Sequence, residues 1–211
     1  YSLLCYLFSC SFVTTSIEAF PYQPGWPRII NGDIRRSPVI ADLDNDGFQE
    51  IIFSANDNFQ VHILKHNGDI FNPFWPKHFT TSSGSQPTVS DIDGDGDQEI
   101  IFVGDYLYAW HHTGEICTGF PVTEIFGFLK PAPAVGDLTG DEFPEIAVGV
   151  GCNFYLVDNQ GNILNGFPKT YTWPSKDTGC GIRHTPAIGD IDSDGTNEVV
   201  VQVLNKHVYA Y

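Results

Sequence analysis

The stretch Asp42-Leu43-Asp44-Asn45-Asp46-Gly47-Phe48-Gln49-Glu50, running straight into Ile51-Ile52-Phe53, decides how this chain folds. Carboxylates at alternate positions of a tight loop project inward, the glycine supplies the positive φ the turn needs, and a backbone carbonyl near Phe48 adds another hard oxygen. That is a donor set suited to calcium, and without a cation its acids would repel one another. The order matches the first half of a helix-flanked calcium loop. Here, however, Glu50 closes the loop at the ninth position rather than the twelfth and opens an apolar β-type run instead of a helix. A loop held between two strands is therefore expected.

The pattern recurs along the chain. Asp91-Ile92-Asp93-Gly94-Asp95-Gly96-Asp97-Gln98-Glu99 precedes Ile100-Ile101-Phe102, and Asp190-Ile191-Asp192-Ser193-Asp194-Gly195-Thr196-Asn197-Glu198 precedes Val199-Val200-Val201. Between them Asp137-Leu138-Thr139-Gly140-Asp141-Glu142-Phe143-Pro144-Glu145 is degenerate, with Thr139 in place of an acid and Glu142 in place of the glycine. The first aspartates lie 49, 46 and 53 residues apart, which is a repeat period. Pro38, Pro87, Pro133 and Pro186 each stand four residues before those aspartates. One strand should enter each loop, a second should leave it at Ile51, Ile100, Ile146 or Val199, and a third is expected at 61–64, 106–110, 154–157 and 207–211. Glycine turns at Gly68, Gly114 and Gly161 follow the first three. The pairs Trp75-Pro76, Phe120-Pro121 and Phe167-Pro168 are expected to close an outermost strand, an edge where proline's missing donor costs no ladder bond.

The formal charge of −16 is mostly local, because 17 of the 26 acids sit inside the four loops. Four bound dications would bring it to −8, ordinary for a soluble domain. Ten Lys and Arg, with no basic cluster beyond Arg35-Arg36, argue against a nucleic-acid partner. Abundant Gly and Pro, frequent aromatics and no long 3.6-residue period make the class all-β.

Four short strands per repeat of this size make the blade of a β-propeller. The Pro-x-x-x-Asp-x-Asp-x-Asp-Gly-x-x-Glu pattern feeding an apolar strand, with Gly-Phe-Pro at a blade end, resembles the FG-GAP or VCBS repeats of integrin alpha-chain propellers and many secreted microbial proteins. The resemblance covers about residues 20–211. It implies that calcium sits in the loop between the first two strands of each blade, on one face of the disc. The side-chain ligands it implies are Asp42, Asp44, Asp46 and Glu50; Asp91, Asp93, Asp95 and Glu99; and Asp190, Asp192, Asp194 and Glu198. At the degenerate unit only Asp137, Asp141 and Glu145 carry over.

Gly25-Trp26-Pro27, within residues 20–27, matches an outermost strand with no blade before it, and Tyr211 follows a third strand with no outermost strand after it. Joined, 20–27 and 186–211 would form one split blade beside blades at 37–76, 86–121 and 132–168, about four in all. Two alternatives stay open: a piece of a six- to eight-bladed propeller, or an N-terminal strand that completes a neighbouring subunit and builds a homo-oligomer or filament. Residues 1–19 form an apolar leader, read either as a secretory signal or as an N-terminal assembly strand, and too short to span a membrane comfortably. Either reading places the protein outside the cell, secreted or at the cell surface.

Cys152 falls in the turn between the second and third strands of its blade and Cys180 in the connection to the next, on the same face of the disc, so the two could form a disulfide. The alternative is three buried thiols at Cys117, Cys152 and Cys180. His111 and His112, at a strand end before a glycine turn, are read as turn residues, and Trp26, Trp75 and Trp110 as packing residues. Tyr171 and Trp173, in a longer connection, could stack on a sugar or contact a protein. No nucleophile elbow, phosphate loop or zinc-protease motif is present, and the acids are used in repeated loops. The expectation is a non-enzymatic, calcium-binding structural or adhesive module engaging a protein or glycan ligand. The alternatives are a carbohydrate-binding propeller and a non-catalytic module of a larger secreted enzyme.

Overall fold

The structure is a computed structural model that describes residues 22–80, 84–172, 181–204 and 206–211. The leader at 1–19 with Cys5 and Cys10, and likewise Trp173 and Cys180, lie outside the described residues.

Among the described residues every regular element is a strand, and the strands fall into four small antiparallel sheets in chain order. The first holds β1 (Val39–Ala41), β2 (Glu50–Ala55), β3 (Gln60–Leu64) and β4 (Lys77–His78). The second holds β5 (Thr88–Ser90), β6 (Glu99–Val103) and β7 (Leu107–Trp110). The third holds β8 (Ala134–Gly136), β9 (Glu145–Val150), β10 (Asn153–Val157) and β11 (Lys169–Thr170). The fourth holds β12 (Ala187–Gly189), β13 (Glu198–Val203) and β14 (His207–Ala210). The leading strands neighbour one another in order, β1 beside β5, β5 beside β8 and β8 beside β12. The result is a propeller-like succession of sheets.

In the second and third sheets, β6 and β9 are apolar at consecutive positions because those sheets are covered on both faces, so alternate side chains enter different cores. Ile52 and Ile63 pack with Ile100, Phe102 and Trp110 between the first two sheets. Ile101 and Leu107 turn the other way to meet Ile146, Val148 and Tyr155 of the third. Ala147, Phe154 and Leu156 face Val199, Val201 and Val203 of the fourth. Phe102 is fully buried, worth about 2–3 kcal/mol by area.

The aromatic–proline pairs lock one sheet to the next rather than ending an outermost strand. Trp75 donates its indole N–H to the His112 carbonyl at 2.9 Å, and Trp26 donates to the His66 carbonyl at 3.0 Å. Where outer strands form, they follow the proline, as β4 and β11, and are two residues long. The segment between glycine turn and aromatic pair reduces to a single bridge, at Ile70, Ile116 and Ile163.

Trp26 and the Arg28–Asp69 ion pair at 2.6 Å hold 22–28 against the first sheet. The fourth sheet is three-stranded among the described residues. Cys152 is disulfide-bonded. Its expected partner Cys180 lies outside the described residues, but Ile182 N donates to Gly151 O at 2.8 Å, so the two chain segments meet. Cys117 is a free, buried thiol, which burial and nearby carboxylates push up to about 12.

Candidate metal centres

Each acidic loop spans the hairpin between the first two strands of its sheet, and the register is the same in all four. Ala41 faces Glu50, Ser90 faces Glu99, Gly136 faces Glu145 and Gly189 faces Glu198. The closing glutamate is thus the first residue of the second strand. One of its oxygens accepts the backbone N–H of the second loop residue: Leu43 at 3.1 Å, Ile92 at 2.9 Å, Leu138 at 2.7 Å and Ile191 at 2.9 Å. That bond fixes the carboxylate and leaves the other oxygen, Oε1, free to face the loop.

The aspartates wind the loop around themselves. The first accepts the N–H of the sixth residue, from Gly47, Gly96, Glu142 and Gly195 at 3.0–3.1 Å. The fifth accepts the N–H of the seventh, from Phe48, Asp97, Phe143 and Thr196. Such side-chain-to-backbone bonds favour a turn over extension of either strand. Two positions in every loop are left-handed. The sixth was expected; the fourth, held by Asn45, Gly94, Gly140 and Ser193, was not. Those are residue types that tolerate positive φ, so the signal was present in the aligned loops.

The geometry brings together Asp42, Asp44 and Glu50 in the first loop, Asp91, Asp93 and Asp95 in the second, and Asp190, Asp192 and Asp194 in the fourth, donor atoms in each set lying within 4.8 Å of one another. Asp46, Glu99 and Glu198 are not in these three sets. No such set forms at Asp137, Asp141 and Glu145 among the described residues, where Thr139 donates its hydroxyl to Glu145 at 3.3 Å instead. The loops touch in sequence: Asn45 donates to Gly96 O at 2.8 Å and Asn197 to Asp137 O at 2.9 Å.

Burial of Glu50 raises its carboxyl above the usual range, and the charges of Asp44, Asp46 and Asp42 raise it further. Glu99 is wholly buried and rises to about 7, again first through burial and then through Asp93. Glu145 is raised for the same leading reason. Closely set hard oxygens, one of them desolvated, suit a divalent cation such as calcium, which removes both penalties.

His111 was read as a turn residue but reaches into the second loop, with Nδ1 at 3.2 Å from Glu99 Oε1 and 4.0 Å from Asp93 Oδ2. Pairing of Ile100 with Trp110 puts the next residue of that strand beside Glu99, a register that sequence spacing alone does not set. His112 keeps its turn role through its carbonyl. Trp75 and Trp110 pack as expected. Tyr171 is buried, with its hydroxyl 2.9 Å from that of Tyr211, so it offers no face for stacking on a sugar. No helix among the described residues is long and apolar enough to cross a membrane.

A comparison with curated protein sequences returned no match. Among solved structures, the V. cholerae biofilm matrix protein Bap1 is similar at 21% identity and a TM-score of 0.57, over 83% of this chain and 28% of that one. BBS1N in complex with ARL6DN is similar at 12% identity and a TM-score of 0.57, over 85% of this chain and 54% of that one. The chain thus spans about a quarter to a half of these proteins, and the likeness is one of fold. The model of the FG-GAP-like repeat family matches residues 42–102, the first two acidic loops and the strands between them, and the chain therefore carries FG-GAP-like repeat sequence.

Proposed function

We propose that the chain belongs to an extracellular β-propeller, stabilised by calcium, that serves as a non-enzymatic structural or adhesive module. The observation that carries this reading is the identical register of four acidic loops, each ending in a buried or partly buried glutamate clamped by a backbone N–H. A device repeated in every sheet, at one end of each hairpin, serves the scaffold; catalysis would call for a pair of groups that breaks the repeat. The side-chain ligands are Asp42, Asp44, Asp46 and Glu50; Asp91, Asp93, Asp95 and Glu99; and Asp190, Asp192, Asp194 and Glu198. The loop at Asp137, Asp141 and Glu145 is the weak member. An adhesive role accords with the likeness to a biofilm matrix protein, and a protein ligand accords with the neighbour solved in complex with a partner.

The test is calcium titration of metal-stripped protein by calorimetry, with adsorption to cells and matrix measured in calcium and in chelator. About three tight sites and calcium-dependent adsorption are expected. An absence of calcium binding refutes the reading, and adsorption indifferent to chelator refutes its link to adhesion.

A further inference from the structure

The second loop differs from the others in one donor. The strand register that sets His111 beside Glu99 sets Lys65 beside Glu50 and Asp158 beside Glu145. Lys65 carries its ammonium over the Phe71 ring instead, and Asp158 accepts the N–H groups of Gln160 and Asn162 in its own turn. Among the described residues, His111 sets a ring nitrogen against two carboxylates of one acidic loop, Glu99 and Asp93, whereas His112 Nδ1 lies 3.5 Å from Asp97 alone. We propose that Asp93, Glu99 and His111 form a mixed-donor site for a first-row transition dication such as zinc, separate in chemistry from the calcium sets.

Donor type argues for this first. Calcium takes oxygen ligands, whereas imidazole with carboxylates suits zinc and its neighbours. Spacing argues second. Around a four-coordinate zinc with bonds near 2.0–2.1 Å, ligand atoms stand about 3.3 Å apart. His111 Nδ1 and Glu99 Oε1 are already 3.2 Å apart, and Asp93 Oδ2, at 4.0 Å from Nδ1, needs to close by well under an ångström. All three donor atoms lie within 4.8 Å of one another.

Presentation argues third. Glu99 is wholly buried with Oε2 held by Ile92 N, so Oε1 is a fixed donor in a place where an uncompensated charge is costly. His111 is about three-quarters covered, and its backbone N–H is tied to Glu115 O at 2.9 Å. The ligands thus come from the loop, from the first residue of β6 and from the residue after β7. Asp93 is common to this set and to the set with Asp91 and Asp95, so the two cations exclude one another there.

The test needs no calcium at any loop. The metal-stripped protein is titrated with zinc by calorimetry, and with cobalt(II) followed by its visible bands. His111→Gln and His111→Asp are run beside it, their folds checked by circular dichroism and melting. One site is expected, weakened in both variants by at least the ~10-fold that losing even an outer-shell partner costs. The His111 ring nitrogens should shift on zinc addition in ¹⁵N spectra, and calcium titration of His111→Gln should match wild type. With zinc preloaded, wild type should show one fewer tight calcium site. Failure of the stripped chain to bind zinc, zinc affinity within twofold of wild type in His111→Gln, or unmoved His111 nitrogens overturns the proposal and leaves His111–Glu99 as a hydrogen bond bracing the loop.

Discussion

Glu142 holds the sixth position of its loop at φ 75°, where the other three loops have glycine at 89°, 95° and 94°. A side chain in the left-handed region costs about 1–2 kcal/mol, and the extra freedom of glycine in the unfolded chain returns about 0.5–1 kcal/mol of that. Glu142→Gly should therefore stabilise by about 0.5–1 kcal/mol. The side chain is exposed, and its backbone N–H keeps its bond to Asp137 Oδ2 at 3.1 Å, so no packing or hydrogen bond is lost. For a chain of this size that is about 1–4 °C in melting temperature. Two controls separate conformation from charge. Glu142→Gln removes the charge but keeps the Cβ, and should recover less than half the gain. Gly140→Ala, at φ 76° with nothing within 4 Å of the added carbon, should lose about 0.5–1 kcal/mol for the converse reason. Denaturant unfolding in chelator measures all three without cation effects. Equal gains in Glu142→Gly and Glu142→Gln would refute the backbone argument and assign the effect to charge.

In calcium, Asp93→Ala should destabilise far more than Thr139→Ala, because a site filled at 10 to 100 times its dissociation constant adds about 1.4–2.7 kcal/mol by linkage; equal losses by calorimetry would count against the unevenness of the loops. Thr139→Asp should reverse sign with the cation, destabilising in chelator beside Asp137 and Glu145 and stabilising in calcium, as read by melting in both buffers. In metal-free protein, burial lifts Glu99 to about 7 from an ordinary 4.5, so its folded form holds a proton that the unfolded chain releases between those values. Stability should fall as pH rises through that window, and Glu99→Gln should flatten the slope; parallel slopes would exclude the effect. Peptide mapping without reduction should recover Cys152 in a disulfide with Cys180 and Cys117 as a thiol that alkylates only after unfolding; rapid alkylation of Cys117 in the native protein would contradict its burial.

The strands and loops were legible because each repeat states its chemistry locally. A proline, alternating acids, a turn glycine and a β-branched run fix a hairpin whatever surrounds it. What the sequence did not disclose depends on contacts between repeats. Whether Trp75 ends a strand or reaches the next turn depends on where the His112 carbonyl lies, 37 residues away. Whether Tyr171 faces solvent or Tyr211 depends on how the third and fourth sheets pack. His111 looked like a turn residue because its partner Glu99 is twelve residues back on the neighbouring strand.

The same division explains where the molecule can vary. Between sheets, side chains at equivalent positions must fill a core already packed on both faces, so Ile52, Ile101 and Ala147 keep apolar character although their volumes differ. At the loop end, the backbone is held by its own aspartates and by one glutamate oxygen, and these bonds survive even where Thr139 and Glu142 break the pattern. A loop whose backbone shape does not depend on its remaining donors is free to change them. The residue after the third strand is the place from which a new donor arrives, since the register sets its backbone beside the closing glutamate without altering the loop. Lysine, histidine and aspartate occupy that place in the first three repeats, and only histidine supplies a neutral nitrogen to a cation already faced by carboxylates.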